Sequence, residues 1–302
     1  MSKGDEMEPK RDTGPSMFDM KSKFGGVVVY TDPVNRERTD SSDNVMSLLQ
    51  EEQVFWWEFS KDSIEWAINT VKAEIDFLDV GTGSGVFSLL IAKNTNAKNI
   101  RAIDKSARAI EVAKRNAHIN DLNIDFRHEP YSEHTAARRS CKVIGFNPPY
   151  HLYPSEIEDK MPQHARGGTD GQGVFKEQLT IADRHLADSG IIAFNQMCLG
   201  RNGAPEFARY IPELVKETSL AYTNILPPMA TGEFLRGVYG DAFLEYQTQT
   251  ANAFPELYYC NGIISRDNGG KVVVIKHTVP LKGRTWADRI ELHRQVALHG
   301  LK

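Results

Sequence analysis

The stretch FLDVGTGSGVFSLLIA, Phe77 to Ala92, runs an apolar strand into three closely spaced glycines and then into an apolar helix. Glycines at 81, 83 and 85 allow a sharp strand-to-helix bend, because they accept backbone angles that other residues avoid. Their missing side chains also let a ligand touch the backbone. A turn of this kind belongs in a parallel α/β sheet, where ligands sit at the carboxyl ends of the strands.

The residues around it keep to that plan. Strand patterns at Ile75 to Gly81, Asn99 to Asp104, 123–128, 141–147 and Gly190 to Met197 alternate with helical patterns at Val86 to Asn94, Ala107 to Asn120 and Gly173 to Leu186. A further helix at 204–215 and a strand at 219–227 follow. This alternation predicts a doubly wound, mostly parallel seven-stranded sheet with helices on both faces. Two strands joined at Asn268-Gly269-Gly270 read as a hairpin forming an antiparallel edge. Val45 to Thr70 predicts two helices broken near Ser60 to Asp62. Residues 1–23 form a flexible tail, 24–74 a strand and helices covering the ligand site, and 75–302 the main domain. That domain carries an insertion near 229–256 and a C-terminal helix. The insertion's Phe234, Tyr239, Phe243 and Tyr246 fit either core or a lid.

Totals remove several function classes. A net charge of −4 gives no global reason to expect nucleic-acid binding, although Lys271, Lys276, Lys282, Arg284, Arg289 and Arg294 are candidates for a local basic patch. Cys141, Cys198 and Cys260 are far apart and fit reduced, buried thiols of a cytoplasmic protein. The nine histidines show no H-x-x-x-H spacing, so no metal is expected. No apolar run approaches the roughly 20 residues of a membrane span. Trp56-Trp57 read as helix-packing residues.

The glycine spacing is not that of a dinucleotide fingerprint, because Val86 stands where the third glycine of G-x-G-x-x-G would fall. Asp104 closes the second strand, about twenty residues past the glycines, where an acidic side chain reads ribose hydroxyls. Glu129, after the third strand, is placed to accept from an exocyclic amine, with Pro130 or Tyr131 over the ring. The fourth strand ends in Asn147-Pro148-Pro149-Tyr150. Neither proline has an N–H, so the pair stops the ladder and fixes the backbone. The Asn147 side-chain oxygen and the Pro148 carbonyl then form two acceptors for one planar NH2 group, with Tyr150 as an aromatic wall. An amide nitrogen is a poor nucleophile because its lone pair is delocalised. Two fixed acceptors align that lone pair and stabilise the positive charge that grows on nitrogen during attack.

The D-x-G-x-G-x-G pattern, with Asp79, Gly81, Thr82, Gly83 and Gly85, resembles motif I of the class I S-adenosylmethionine-dependent methyltransferases. The combination with Asn147-Pro148-Pro149-Tyr150 resembles the HemK-type protein-glutamine N-methyltransferases, the release-factor methyltransferases among them. Arg166 to Leu179, RGGTDGQGVFKEQL, resembles that family's Gly-Gly-x-Asp-Gly segment, and Asp170 is expected to cap the next helix. NRERTD, Asn35 to Asp40, is a weaker match to a Pro-Arg-Pro-Glu-Thr-Glu segment and lacks both prolines. The resemblance covers about residues 25 to 200. It implies S-adenosylmethionine as cofactor, Asp79 beside its amino end, and the side-chain amide of a protein glutamine as acceptor. Adenine N6 of RNA or DNA, or a small-molecule amine, is the alternative acceptor. A non-catalytic donor-binding partner protein is the reading outside enzymology, and the intact Asn147 argues against it. Two departures concern the substrate. The helical N-terminal domain of the bacterial release-factor enzymes is missing, and residues 229–256 have no counterpart.

Overall fold

The computed structural model describes residues 20–32, 45, 50–267, 269–275 and 285–301; the segment Asn35 to Asp40 lies outside them. At the centre stands β3 (Ile75–Val80), buried at all six positions. A strand covered on both faces reads as an unbroken apolar run. The chain then alternates through α2 (Val86–Asn94), β4 (Ile100–Asp104), α3 (Ala107–Ile119) and β5 (Asp125–His128). It returns to β6 (Cys141–Phe146), on the other side of β3, and passes through α4 (Gly173–His185) to β7 (Leu186–Arg201). Strands β5, β4, β3, β6 and β7 are neighbours in that order and all parallel. The order reverses between β3 and β6. A ligand crevice is expected there, outside the carboxyl ends of the two strands.

The remaining elements are β8 (Ala204–Pro205), α5 (Phe207–Leu214), β9 (Thr218–Ala230), α6 (Thr231–Tyr239), α7 (Leu244–Ala253), β10 (Glu256–Arg266), β11 (Val272–Val274) and α8 (Trp286–Leu301). The full order of the nine-stranded sheet is β11-β9-β10-β7-β6-β3-β4-β5, with β8 beside β7. Seven of these strands make the expected doubly wound frame. The antiparallel element sits elsewhere than expected: β10 lies inside the sheet, antiparallel to both β7 and β9. The strands flanking Asn268 to Gly270 therefore do not pair with each other, and β11 runs parallel to β9 at the edge. Asn268 itself lies outside the described residues.

Two further differences concern the N-terminal part. Met20 to Lys23, assigned by composition to the tail, belong to β1 (Met20–Phe24), which pairs antiparallel with β2 (Val27–Thr31). The helix α1 (Phe55–Thr70) is continuous through Ser60 to Asp62. The Ser60 hydroxyl donates to the Trp56 carbonyl within the helix, so the serine does not compete for a break. The irregularity lies earlier, in a single π-helical turn over Gln50–Val54. Trp56 is fully buried and stacks on Phe87, as a packing residue does. All three cysteines are free and buried. No described helix is long and apolar enough to cross a membrane.

The hairpin is fixed by Asn116 of α3 and Asn120 at its C-cap, which imitate a neighbouring strand. Asn116 accepts from the Tyr30 N–H and donates to the Tyr30 carbonyl, both at 2.9 Å. Asn120, one turn on, does the same with Val28 at 2.7 Å. The Asn116 amide also donates to the Ser84 carbonyl at 2.9 Å, tying the hairpin to the glycine turn. Asn116 is fully buried. Asn116→Ala strands several buried backbone groups at once and should lower unfolding free energy by about 1–3 kcal/mol, measured by urea denaturation.

Candidate functional site

A cavity of about 300 Å³ opens at the switch point. Asp79, Gly81, Thr82, Gly83, Asp104, Glu129, Pro130, Tyr131, Asn147, Pro148 and Pro149 all line it. The sequence separates the first and last of these by seventy residues, and the parallel pairing of β3 with β6 brings them together.

Gly81 and Gly83 adopt φ of 71° and 54°, and their missing side chains leave open space on the cavity side. Gly85 differs. It does not line the cavity, and a Cβ there would lie 3.1 Å from the Ala113 Cβ. Its absence of a side chain lets α3 approach, so Gly85 serves close packing.

Asp79 is almost wholly buried. Its Oδ2 accepts from the Thr82 hydroxyl at 2.8 Å, the Ser88 hydroxyl at 2.7 Å and the Ser88 N–H at 3.2 Å. Burial outweighs these donors and raises its pKa to about 6. Asp104 accepts from the Gly83 N–H at 3.0 Å and the Ser106 N–H at 2.8 Å. Burial raises its pKa as well, opposed by those two hydrogen bonds. Glu129 pairs through Oε1 with the ring Nδ1 of His134.

At the tip of β6 the Asn147 amide nitrogen donates to Glu52 Oε2 at 3.2 Å. Its Oδ1 is buried and has no partner among the described residues. Burying an acceptor without a partner is costly, and such groups call for an explanation in function. Tyr150 must be corrected. It does not line the cavity; it is 3% exposed, its ring stacks on His151, and its hydroxyl donates to Glu52 Oε1 and contacts Arg289. It anchors the loop and supplies no wall.

Gly167 and Gly171 lie against that loop. A Cβ on Gly167 would sit 2.8 Å from the Pro149 carbonyl oxygen, and one on Gly171 would sit 2.6 Å from that of Tyr150. Asp170 is not the helix cap. It accepts from the Gln172 N–H at 2.8 Å and pairs with Lys176, while Gln172 occupies the cap position with no side-chain cap bond.

The sequence reading missed several lining residues: Val45, Gln53, Gln163, His164, Val174, Gln178 and Ile181. Val174, Gln178 and Ile181 follow one face of α4, so the i, i+4, i+7 spacing was a usable signal. Burial lowers His164 to a pKa of about 4, which leaves it neutral at pH 7. It also missed Glu52 and Arg289, for which no local motif exists. Arg289 leaves the expected basic patch, being 1% exposed and ion-paired with Glu52 at 2.9 Å. Lys276, Lys282 and Arg284 of that patch lie outside the described residues.

Sheet order, glycine turn and acidic strand ends define a class I S-adenosylmethionine-dependent methyltransferase. The profile of the family described as methyltransferase small domain matches residues 46–192. A protein provisionally named protein N5-glutamine methyltransferase, from Methanocaldococcus jannaschii, is 30% identical over 148 residues, covering 47% of this chain and 73% of that protein. The release factor glutamine methyltransferase of Flavobacterium psychrophilum is 28% identical over 148 residues, covering 45% and 52%. The ribosomal protein L11 methyltransferase of Dictyoglomus turgidum is 41% identical over 137 residues, 42% of each chain. The chain spans only about half the length of these two bacterial relatives. It belongs to the HemK-type class I methyltransferases, is an enzyme, and uses S-adenosylmethionine as its methyl donor.

The raised pKa of Asp79 has a stability consequence. The folded protein holds this proton more tightly than the unfolded chain, so this group's contribution to stability falls as pH rises from 3.8 to about 6, then levels off. Asp79→Asn should raise the unfolding free energy of the ligand-free protein at pH 8 by up to about 3 kcal/mol. It should change it far less at pH 4, in urea titrations at the two pH values.

Proposed function

We propose that this enzyme methylates the side-chain amide nitrogen of a glutamine in a protein substrate. The observation that carries the proposal is the buried, partnerless Oδ1 of Asn147 at the lip of the cavity, next to Pro148. The donor fits the residues present. Asp79, fixed by three donors, would hold the cationic amino end. The backbone at Gly81, Thr82 and Gly83 would hold the methionine moiety, Asp104 the ribose hydroxyls and Glu129 the adenine amine, with Pro130 and Tyr131 beside the ring. When bound, the donor supplies an electrophilic methyl group on a sulfonium.

Asn147 Oδ1 and the Pro148 carbonyl accept the two N–H bonds of the acceptor amide. They would orient its nitrogen toward the donor site and stabilise the charge that develops there. The proton leaves after transfer, so no strong base is required before it. Pro149 keeps the carbonyl direction fixed. Two lines support a protein acceptor. The relatives named above are, by name, glutamine or ribosomal-protein methyltransferases, and Arg289 is withdrawn from the basic surface that a nucleic acid would need.

Isotope-labelled S-adenosylmethionine incubated with the enzyme and cell extract should label protein, and digestion of that protein should release N5-methylglutamine. Label in nucleic acid or small molecules would replace the glutamine reading. Asn147→Ala should abolish transfer and leave donor affinity within a few-fold by calorimetry. Asp104→Ala should weaken donor binding by about 1–3 kcal/mol for the lost ribose contact, in the same titration.

A further inference from the structure

Glu52 and Arg289 are 237 residues apart in the chain, and both are essentially fully buried. They lie outside the glycine turn and the Asn-Pro-Pro-Tyr motif, and neither lines the cavity. Yet one Glu52 carboxylate oxygen accepts from the Asn147 amide, and the other accepts from Tyr150 and from Arg289 at 2.9 Å. Gln53 Nε2 donates to the same carboxylate at 3.3 Å.

A carboxylate can only accept. Whatever bonds to it must present a donor. Glu52 therefore selects one of the two flips of the Asn147 amide: nitrogen toward Glu52, oxygen toward the cavity. In the opposite flip two oxygens would face each other in a buried place, and the cavity would meet a donor where the acceptor amide also offers donors. A buried carboxylate calls for a counter-charge, because an unpaired one is strongly disfavoured. Arg289 of α8 supplies it. Helix α8 is held in turn by α6: the Arg294 guanidinium donates to the Gly237 carbonyl, Ile290 occupies the space above Gly237, and Trp286 packs edge-on to Phe234.

We infer that Glu52 is a positioning residue for Asn147, and that its ion pair with Arg289 makes catalytic competence depend on docking of the C-terminal helix. The inference rests on the reading of Asn147 as acceptor for the substrate NH2. It assigns a task to the 229–256 insertion and the C-terminal helix, which form the platform that delivers Arg289.

Glu52→Gln keeps shape but gains a donor. The amide so introduced can turn its NH2 to Asn147 Oδ1 and occupy the oxygen the substrate needs. It also breaks the buried ion pair with Arg289, which lowers stability. The double variant Glu52→Gln with Arg289→Met removes that second fault, since a buried ion pair replaced as a whole is often tolerated. The double variant should therefore recover most of the melting temperature and bind S-adenosylmethionine within about threefold of the parent by calorimetry. Its kcat for label transfer into cell extract should stay about 100-fold down, the scale of a misplaced catalytic group. A second readout avoids turnover. In protein labelled with ¹⁵N-asparagine, the side-chain NH2 signal that disappears in Asn147→Ala should move in both Glu52 variants. Full recovery of kcat in the double variant, or an unmoved NH2 signal, would overturn the inference. Transfer persisting in Asn147→Ala would instead overturn the acceptor reading on which it rests.

Discussion

Two consecutive prolines at the tip of β6 leave the loop that follows without two backbone donors. A loop that cannot bond itself into place must be held from outside, and much of the structure beyond the sheet does this. Gly167 and Gly171 come close enough to the Pro149 and Tyr150 backbone that no side chain fits between. His151 bridges to Arg166. Tyr150, Leu152 and Tyr153 are built into an apolar cluster with Phe234, Leu235, Val238 and Val296. The Tyr239 hydroxyl donates to the Leu152 carbonyl at 2.6 Å. The prolines fix the loop's shape, and this surrounding shell fixes its position. Interiors of this density do not deform gradually, so the acceptor pair is held to a narrow geometry.

The electrostatics of the cavity follow a related logic. Asp79, Asp104 and Glu129 stand at the ends of three neighbouring parallel strands or just beyond them, and Glu177 lines the same space. Burial raises the pKa of both Asp79 and Asp104, so their charge is expensive until a cation arrives. A cavity lined with such carboxylates suits a ligand that carries positive charge, as the sulfonium donor does.

The frame and half of the site were legible in the sequence because their signals are local. Gly81 and Gly83 lie two and four residues past Asp79 and share one turn with it, and β6 with its prolines reads as a strand that must stop. Helix α2 follows from its own residues down to both boundaries, Val86 and Asn94. The strand at 256–266 was legible as a strand but not in its place, since pairing with β7 and β9 depends on residues 56 to 74 and 26 to 48 positions away. The Gly269-Gly270 signal suggested the nearest partner, and the sheet supplied better ones. Tyr150 was misread for a similar reason. Its closeness to Asn147 in sequence suggests a place in the cavity, but alternate residues of extended backbone point to opposite sides. Its side chain belongs to the network behind the loop. Glu52, within Gln50-Glu51-Glu52-Gln53, has the composition of a solvated helix face. Nothing in those four residues indicates that the second glutamate meets an arginine near the far end of the chain.

That last pairing also separates what the family profile covers from what the site needs. The matched segment ends at residue 192, and the polar groups that line the cavity all fall within it. The orientation of Asn147, however, is completed by Arg289, almost a hundred residues later. Contacts of such long sequence separation close late, because a long loop must be ordered before they form. The Asn147 amide becomes uniquely oriented only when α8 packs on α6 and inserts its guanidinium beside Glu52. The C-terminal hundred residues are thus tied to the chemistry through the loop they pack against and the buried charge they deliver, and not by lining the cavity.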